Sequence, residues 1–223
     1  MLPYNFEFTK SPYALIFLGI RFLVTCGVIM NVELEHNVEV YNFAAEYYFD
    51  LYEGVSFESV HKNILPLFTR DKILDVLDVG CGSGRDAMGI LKFGHNVFGV
   101  DPSFDILQLA RLRHGEFVTW INDSLPRLPK IQSLRKKFDV ILVSAVWMHL
   151  PEKTQLESIQ TLKSLLNVGG KIIISWRNIG QESTRKFYPV DPIQFGEYVI
   201  SHSDDSLLKV RPEVFWSTVI ISN

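Results

Sequence analysis

The chain has 223 residues, is 47% hydrophobic and 21% charged, and carries a formal net charge of −3 with a pI near 6.1. This length and composition suit one globular domain with a short extension. The acidic balance argues against broad electrostatic binding to nucleic acid, and we interpret the basic cluster 135–137 as a solvated helix end. The two cysteines, Cys26 and Cys81, and the scattered histidines show no zinc spacing. We therefore expect no metal site, no disulfide and a reducing, cytoplasmic compartment.

The N-terminal segment contains a mostly apolar run at residues 13–30, interrupted by Arg21. A membrane-spanning helix needs about 20 apolar residues, and a central arginine opposes insertion by about 2.5–3.5 kcal/mol. The flank with Glu7 and Lys10 lacks the basic character of a signal peptide. We expect residues 1–29 to be a hydrophobic extension outside the fold, followed by a single domain at 30–223. A membrane anchor at residues 13–30 and a packed helix are the alternatives.

Two helices are predicted before the first strand. Apolar residues recur at helical spacing from His36 to Tyr52, and Gly54 ends this helix. A second helix follows, with an inward face at Val60, Ile64, Leu67 and Phe68.

The rest of the chain alternates between strand and helix patterns. Apolar runs predict strands at Ile73–Val79, Asn96–Val100, Glu116–Ile121, Phe138–Ser144 and Lys171–Trp176. Between them we predict helices at Arg85–Phe93, after an N-cap at Ser103, and at Glu152–Leu166, which Gly169 and Gly170 end. Segments Leu207–Val210 and Val214–Ile221 resemble a closing antiparallel hairpin. The alternation predicts an α/β fold with a doubly wound, mostly parallel sheet.

A glycine-rich loop, Gly80–Gly84, follows the first predicted strand. Glycines adopt positive φ in tight turns and let the backbone approach a ligand. Ligands of doubly wound sheets bind at the carboxyl ends of the strands, beside the N-terminus of the next helix. The loop therefore predicts a ligand site.

Two acidic residues narrow the choice of ligand. Asp78 precedes the first glycine by two residues, where it disfavours a pyrophosphate and suits a ligand with ammonium and sulfonium groups. Asp101 ends the second strand, where an acid can accept hydrogen bonds from the ribose hydroxyls of a nucleoside cofactor.

This arrangement resembles the class I S-adenosylmethionine-dependent methyltransferase family, in its small-molecule-type domain. Gly80–Ala87 resembles the glycine-rich first motif, Phe98–Ser103 the second motif, and Asn122–Ser124 the adenine-binding position. Phe138–Ser144 resembles the fourth strand of the family, and the helix with Tyr41 resembles its cofactor lid. The resemblance extends from Tyr41 to Ile221. It implies a Rossmann-like sheet of seven strands in the order 3-2-1-4-5-7-6, with N-terminal helices.

The resemblance also implies S-adenosylmethionine as the cofactor. The implied cofactor-binding residues are Tyr41, Asp78, Gly80, Cys81, Gly82, Gly84, Arg85, Asp101, Pro102, Ser103, Asn122, Asp123, Ser124 and Ser144. In this scheme Gly80 and Gly82 contact the methionine part, Asp78 holds its ammonium group through water, and Asp101 binds the ribose. Asp123 accepts from the adenine amino group, although an Asn-Asp-Ser turn also forms without a ligand. Tyr41 suits a core position equally well.

The loop after the fourth strand faces the transferred methyl group in such folds. His149 in this loop is a candidate general base, because imidazole groups titrate near neutral pH; bracing the loop is its alternative role. Trp147 is a candidate wall of the substrate pocket. The Asp/Asn-Pro-Pro-Tyr motif of enzymes that methylate DNA base amino groups is missing after this strand. A small-molecule acceptor is therefore expected, with a protein or tRNA as the alternative.

Two other functions fit parts of the pattern. Gly82–Ala87 satisfies G-x-G-x-x-A, and Asp101 follows it at a distance typical of NAD(P)-dependent oxidoreductases. Against this, the position of Asp78 is unfavourable for a pyrophosphate. A non-catalytic S-adenosylmethionine-binding partner of another enzyme is the second alternative. The sequence has no evident catalytic triad, and methyl transfer needs none, because orientation supplies much of the rate.

Overall fold

A computed structural model describes residues 32–69, 72–178, 184–204 and 214–222. The predicted extension at 1–29 and the predicted strand Leu207–Val210 lie outside the described residues. From Val32 onward the chain forms one compact unit around a seven-stranded sheet. Among the helices of the described ranges, none has the length and apolar character to cross a membrane.

The helices and strands alternate through most of the unit. The strands are β1 (Asp75–Val79), β2 (Asn96–Asp101), β3 (Thr119–Asn122), β4 (Phe138–Ser144), β5 (Leu166–Arg177), β6 (Val199–Asp204) and β7 (Phe215–Ser222). The helices are α1 (Val32–Phe43), α2 (Ala45–Glu53), α3 (Phe57–Val60), α4 (Arg85–Lys92), α5 (Phe104–His114), α6 (Pro129–Ser133) and α7 (Glu152–Ser164).

The sheet has the order β3-β2-β1-β4-β5-β7-β6, as predicted. Strands β1 to β5 are parallel, and β7 runs antiparallel to both β5 and β6. The central strands are apolar on both faces, and Val76, Leu77, Ile141 and Leu142 are fully buried. Their side chains contribute to two core clusters. Continuous apolar strands are required here because packing buries both faces of the sheet.

The N-terminal helices differ from the prediction. One helix was expected up to Gly54, but the chain turns at Ala44 and forms α1 and α2, with Gly54 as the C-cap of α2. The turn lets α2 bury Tyr48 and Phe49. The expected second helix is only the four-residue α3 and a separate 3₁₀ turn at Leu65–Leu67. Pro66 lies in that turn, and proline has no N–H with which to extend an α-helix.

Two strand boundaries also differ from the prediction. Part of the expected strand Glu116–Ile121 forms a 3₁₀ turn at Gly115–Phe117, and β3 begins at Thr119. Gly169 and Gly170 were expected to end the last helix, but they lie inside β5. The β4–β5 register shifts at this point, and Gly169 has φ +75°. Glycine tolerates such a strand irregularity.

The closing antiparallel pair is present, but its first strand is new. β7 nearly matches the predicted segment Val214–Ile221, whereas its partner β6 was not predicted.

A second polar group lies at the amino ends of the strands, away from the glycine loop. Asp139 accepts hydrogen bonds from the Asp75 backbone (3.0 Å) and from Asn167 (3.1 Å). Lys136 of the basic cluster donates to Asp75 (2.8 Å). These groups tie β1, β4 and β5 together away from the predicted site.

Candidate active site

A cavity of about 730 Å³ opens where the parallel strands end. Its wall is formed by the turns that follow β1, β2, β3 and β4, by the end of β5, and by residues of α1 and α2. This is the predicted position, because the carboxyl ends of parallel strands meet at one edge of the sheet. The volume is that of a small-molecule site.

The glycine loop is held against β2 by its backbone. The N–H groups of Gly80 and Cys81 donate to the Val100 carbonyl at 2.7 and 3.0 Å. Gly80 has φ +74°, and a Cβ at this position would lie 2.2 Å from Cγ2 of Val146. The turn after β1 therefore contacts the turn after β4 so closely that only glycine fits. Ala145, with φ +60°, carries Val146 into this contact.

Asp101 links the glycine loop to the next helix. Its Oδ2 accepts from the Gly82 N–H (2.9 Å) and its Oδ1 from the Ser103 N–H (2.8 Å). Burial raises the pKa of Asp101 to about 6, and the two N–H donors oppose this rise. The carboxylate lines the cavity with lone pairs available for further donors.

Asp78 lies underneath the loop and does not line the cavity. It is 1% exposed, and its Oδ2 has no hydrogen-bond partner among the described residues. Burial and the nearby Asp86 carboxylate raise its pKa well above the ordinary range. Arg85 lines the cavity, but its Nε donates to Asp86 at 2.7 Å, and Asp86 also contacts His61 at 2.9 Å. The Arg85 charge is thus already compensated inside the protein.

Asp123 lines the cavity but also has a structural role. Its Oδ2 accepts from the N–H groups of Lys130 (2.8 Å) and Ile131 (3.0 Å) in α6, and its Oδ1 accepts from Ser124 N–H (3.0 Å). Three of its roughly four acceptor positions are therefore occupied by backbone. Asn122 points away from the cavity and donates to the backbone carbonyls of Asp101 and Pro102.

The other predicted residues divide into two groups. Tyr41, Cys81, Pro102, Ser124 and Ser144 line the cavity. Gly84 and Ser103 are not part of its lining. A Cβ on Gly84 would lie 2.6 Å from the Trp120 ring, and Ser103 caps α5 through Ile106 N–H and donates to Asn42 (2.7 Å). The sequence motif thus mixes residues that line the cavity with residues that hold the loop in place.

The β5 side of the cavity, to which Tyr41, His149 and Arg185 belong, contains a hydrogen-bonded group around Tyr41. Arg185 Nη1 donates to the Tyr41 hydroxyl at 2.9 Å, and the Tyr52 hydroxyl donates to it at 3.4 Å. The Tyr41 oxygen lies 3.3 Å from Nε2 of His149. Because arginine and Tyr52 supply the donors, the Tyr41 proton is available to His149.

Backbone contacts determine the tautomer of neutral His149. Its Nδ1 lies 2.9 Å from the Lys186 carbonyl, which can only accept, so Nδ1 carries the proton. Asn37 makes two hydrogen bonds with the backbone of Lys186. Its Oδ1 accepts from the Lys186 N–H (2.8 Å), and its Nδ2 donates to the Lys186 carbonyl (3.0 Å). Nε2 of His149 is therefore the acceptor atom, and it is directed at Tyr41. The Nδ1 contact fits the bracing role, and the lone pair on Nε2 is what the base role would need, so the role of His149 as a base stays a prediction.

Several cavity residues were not predicted. No sequence pattern marks Tyr52 or Arg185, since the first lies on an ordinary helix face and the second in an irregular segment. Ser175 and Arg177 end β5 and could have been found from the carboxyl-end rule. Trp147 was expected to line the pocket, but it is fully buried and packs 5.6 Å from the Phe195 ring instead.

Comparison with known proteins agrees with this architecture. Residues 76–170 match a family model described as a methyltransferase domain. The match covers less than half of the chain. The antiparallel β7 between β5 and β6 also separates this fold from the usual dinucleotide-binding order.

Solved structures share the fold of this chain at low sequence identity. One is the Burkholderia thailandensis 1,6-didemethyltoxoflavin-N1-methyltransferase with bound 1,6-didemethyltoxoflavin and S-adenosylhomocysteine. It has a TM-score of 0.63 and 16% identity, over 90% of this chain and 93% of that chain. Another is an Archaeoglobus fulgidus SAM dependent methyltransferase, with a TM-score of 0.56 and 16% identity over 80% and 99% of the two chains.

Curated relatives of the domain carry a shared name. The mitochondrial ubiquinone biosynthesis O-methyltransferase of Candida albicans is 34% identical over 48% of this chain and 34% of its own length. The ubiquinone biosynthesis O-methyltransferase of Actinobacillus pleuropneumoniae is 31% identical over 56% and 58% of the two chains. The alignments thus span less than two thirds of the length of these relatives.

Proposed function

We propose that this chain is an S-adenosylmethionine-dependent methyltransferase that acts on a small molecule. The observation that carries the proposal is the cavity at the carboxyl ends of β1 to β4, with its glycine loop fixed to the Asp101 carboxylate. When bound, S-adenosylmethionine would supply a methyl group on a sulfonium, which an acceptor nucleophile would attack in line as S-adenosylhomocysteine leaves. The methyltransferase domain and the shared fold support this choice of cofactor.

The β1–β3 side of the cavity is the proposed cofactor side. Gly80 and Gly82 present backbone without a Cβ to the methionine part of the ligand. Asp101 accepts from the ribose hydroxyls, because its oxygens keep free lone pairs after binding two backbone N–H groups. The buried Oδ2 of Asp78 is assigned to the ammonium group through a water molecule. Because Asp78 lies behind the cavity wall, this water would bridge the ammonium group to its Oδ2, which has no hydrogen-bond partner among the described residues.

Asp123 and Ser144 are the other polar residues assigned to the cofactor on this side. Asp123 keeps one acceptor position for the adenine amino group, beside Ser124 and Pro102 in the cavity wall. Ser144 follows β4 and is assigned to the region of the methionine tail and the methyl group.

The Tyr41 and His149 pair is the proposed site of proton removal. Both residues line the cavity, and Nε2 of neutral His149 has the lone pair that a base needs. An acceptor hydroxyl can pass its proton to His149 directly, or to the Tyr41 oxygen while the Tyr41 proton moves to Nε2. The Lys186 carbonyl and Asn37 keep the imidazole in this orientation. Such a base contributes only when the acceptor arrives protonated.

The acceptor class is proposed from the size of the site and from the relatives. The cavity of about 730 Å³ must hold both cofactor and acceptor, which limits the acceptor to a small molecule. The names of the curated relatives refer to ubiquinone biosynthesis, a small-molecule pathway. A cytoplasmic location is part of the proposal, and the buried thiol of Cys81 in the glycine loop suits a reducing compartment.

Two measurements test this function. Calorimetric titration with S-adenosylhomocysteine should show binding, and titration with NADH should show none. The reverse result would assign the chain to the oxidoreductases. A screen of metabolite extracts with methyl-labelled S-adenosylmethionine should then yield a labelled small molecule. Binding without transfer to any extract would favour a non-catalytic partner protein.

A variant connects this test to the proposed ribose contact. Asp101→Ala should weaken S-adenosylhomocysteine binding by about 1.5–3 kcal/mol, the range for hydrogen bonds to a charged group. Asp139→Ala, which removes a carboxylate at the opposite edge of the sheet, is the control and should leave the affinity unchanged. Unchanged affinity in a folded Asp101→Ala protein would remove Asp101 from the site.

A further inference from the structure

Helix α1 carries a buried asparagine on its cavity side. Among the described side chains of α1 only Asn37 is buried, with 5% exposure, whereas the apolar Leu34 and Val38 are half-buried. All three residues line the cavity. An amide that is buried in place of an apolar side chain is stable only when its oxygen and nitrogen are hydrogen-bonded. The partners of Asn37 therefore show why an amide stands at this position.

Both ends of the Asn37 amide bond to one residue of the 184–188 segment, which belongs to the irregular chain after β5. Its Oδ1 accepts from the Lys186 N–H at 2.8 Å, and its Nδ2 donates to the Lys186 carbonyl at 3.0 Å. These contacts determine which end of the amide is the oxygen, because an N–H must meet an acceptor and a carbonyl must meet a donor. Asn37 thus holds the Lys186 backbone in a single orientation.

The Lys186 carbonyl has a second donor. Nδ1 of His149 lies 2.9 Å from the same oxygen and 3.4 Å from Nδ2 of Asn37. Since a carbonyl oxygen has two lone pairs, the amide and the imidazole can each occupy one. Nδ1 and Nδ2 are then neighbouring donors, and the 3.4 Å between them is a side-by-side contact rather than a hydrogen bond. The position of the carbonyl, and with it the proton on Nδ1, depends on Asn37.

The 184–188 segment connects α1 to the 3₁₀ turn Trp147–His149, which carries the imidazole. On the α1 side the segment is held by the two amide contacts. On the other side the Tyr188 N–H donates to the Met148 carbonyl at 2.7 Å, and the centre of the Phe187 ring lies 4.7 Å from the centre of the imidazole. The orientation of the imidazole is therefore tied to α1 through this segment.

We propose that Asn37 is a positioning residue for the proposed base and couples the packing of α1 to the tautomer and orientation of His149. It acts through the Lys186 carbonyl. Because the same helix contributes Tyr41, whose hydroxyl lies 3.3 Å from Nε2 of His149, α1 influences both nitrogens of the ring. The base is complete only while α1 packs against the 184–188 segment. This inference rests on the proposed function, because it concerns the base of that same site.

The charged and titratable groups around the imidazole come from α1, α2, the end of β5 and the 184–188 segment. They are Tyr41, Tyr52, Arg177 and Arg185. The side chains of Lys186 and of the two acids of α1 in the cavity wall, Glu35 and Glu39, are exposed. A carboxylate at position 37 would thus add a buried negative charge beside Nδ1. Such a charge favours the protonated ring.

Nitrogen NMR of the imidazole tests this role on the full chain. The histidines are isotope-labelled at their ring nitrogens, the chain is saturated with S-adenosylhomocysteine, and the His149 signals are identified by their loss in His149→Asn. In the unsubstituted chain the neutral ring should carry its proton on Nδ1. Asn37→Ala should give a mixture of both tautomers. Asn37→Asp should move the titration of His149 to higher pH by about one unit or more.

Asn42 provides the matched control on the same helix. Its Oδ1 accepts from the Ser103 hydroxyl (2.7 Å) and from the Asp105 N–H (3.3 Å), on the side of α5. Asn42→Ala and Asn42→Asp change α1 by the same chemical groups as the Asn37 variants. They should leave both the tautomer and the titration of His149 unchanged.

The outcomes separate this inference from the proposed function. Failure of S-adenosylhomocysteine to bind would refute the cofactor assignment, whereas the tautomer in the free chain would still test the role of Asn37. A proton on Nε2 in the unsubstituted chain would overturn the inference, even if every variant fails to fold. An unchanged tautomer and titration in folded Asn37 variants would overturn it as well. Equal changes in the Asn42 variants would have the same consequence.

Discussion

The two sides of the cavity are built in different ways. On the β1–β3 side the contacts are local, since Gly82 and Asn122 bond to Asp101 across 19 and 21 residues of sequence. On the β5 side the contacts join distant segments. Tyr41 meets His149 across 108 residues, and Arg185 meets Tyr41 across 144. The proposed cofactor side is therefore encoded in one short motif, whereas the proposed acceptor side exists only after the sheet and α1 have come together.

The largest expected effect is on the contact between the two sides. Gly80→Ala places a Cβ 2.2 Å from Val146 at a positive φ, so clash and backbone strain add up. We expect a loss of about 2–6 kcal/mol in the free energy of unfolding and no measurable S-adenosylhomocysteine binding. Chemical denaturation and calorimetry measure these two quantities.

A matched glycine isolates the clash. Gly94 also has a positive φ, but a Cβ there would meet nothing within 4 Å among the described residues. Gly94→Ala should cost only about 1–2 kcal/mol and leave binding intact. Equal losses in the two variants would show that the close contact between Gly80 and Val146 is unimportant.

The next effect concerns the acceptor side alone. In His149→Asn the new amide can replace Nδ1 in donating to Lys186, but the base at Nε2 is lost. The kcat for a protonated acceptor should fall by about 10²–10⁴-fold, while S-adenosylhomocysteine affinity stays the same. Single-turnover transfer from labelled cofactor measures the rate.

The glutamine variant distinguishes a base from a brace. His149→Gln places its amide nearer to Tyr41 and loses the contact with the Lys186 carbonyl. If His149 acts as a base, both variants are slow. If it only braces the loop, the asparagine variant keeps its rate and the glutamine variant does not.

A smaller effect is expected in the pH dependence of the cofactor side. Burial raises the pKa of Asp101 to about 6, and ribose hydroxyls that donate to Asp101 favour its ionised form. Below pH 6 the carboxyl group must lose a proton before it binds, so affinity should fall by up to about tenfold per pH unit as the pH decreases. Above pH 6 the affinity should be constant. Titrations with S-adenosylhomocysteine across this range measure the slope.

The control for this slope is Asp101→Asn, which cannot titrate. Its affinity should be lower at pH 7.5 and independent of pH below 6. A slope that persists in this variant would assign the titration to another group, such as the buried Asp78.

The smallest effect is expected at a residue that the motif contains but the cavity does not. Ser103→Ala removes the N-cap of α5 and the hydroxyl contact with Asn42. It should cost about 1 kcal/mol in the free energy of unfolding and leave ligand affinity unchanged. The comparison variant is Ser56→Ala, which removes the N-cap of α3. It measures the free energy lost with a cap alone, because Ser56 has no contact with Asn42. A strong loss of affinity in folded Ser103→Ala would return Ser103 to the binding site.

Much of the fold could be predicted because its signals are local. Buried strands such as β4 show continuous apolar runs, and Ser103 marks the start of α5. The glycine loop and Asp101 marked the β1–β3 side of the site. The errors have local causes as well. Pro66 interrupts the expected second helix, and Gly169 permits a strand irregularity in place of a helix end.

The sequence alone determined the sheet type, the glycine loop and the acid that ends β2, because hydrophobic periodicity and glycine conformation act over a few residues. Only the tertiary structure showed that Asp78 and Asn122 lie behind the cavity wall. It also brought Arg177 and Arg185 to the same ring as His149. Such contacts join segments that are far apart in the chain, and their partners are decided by packing and strand register.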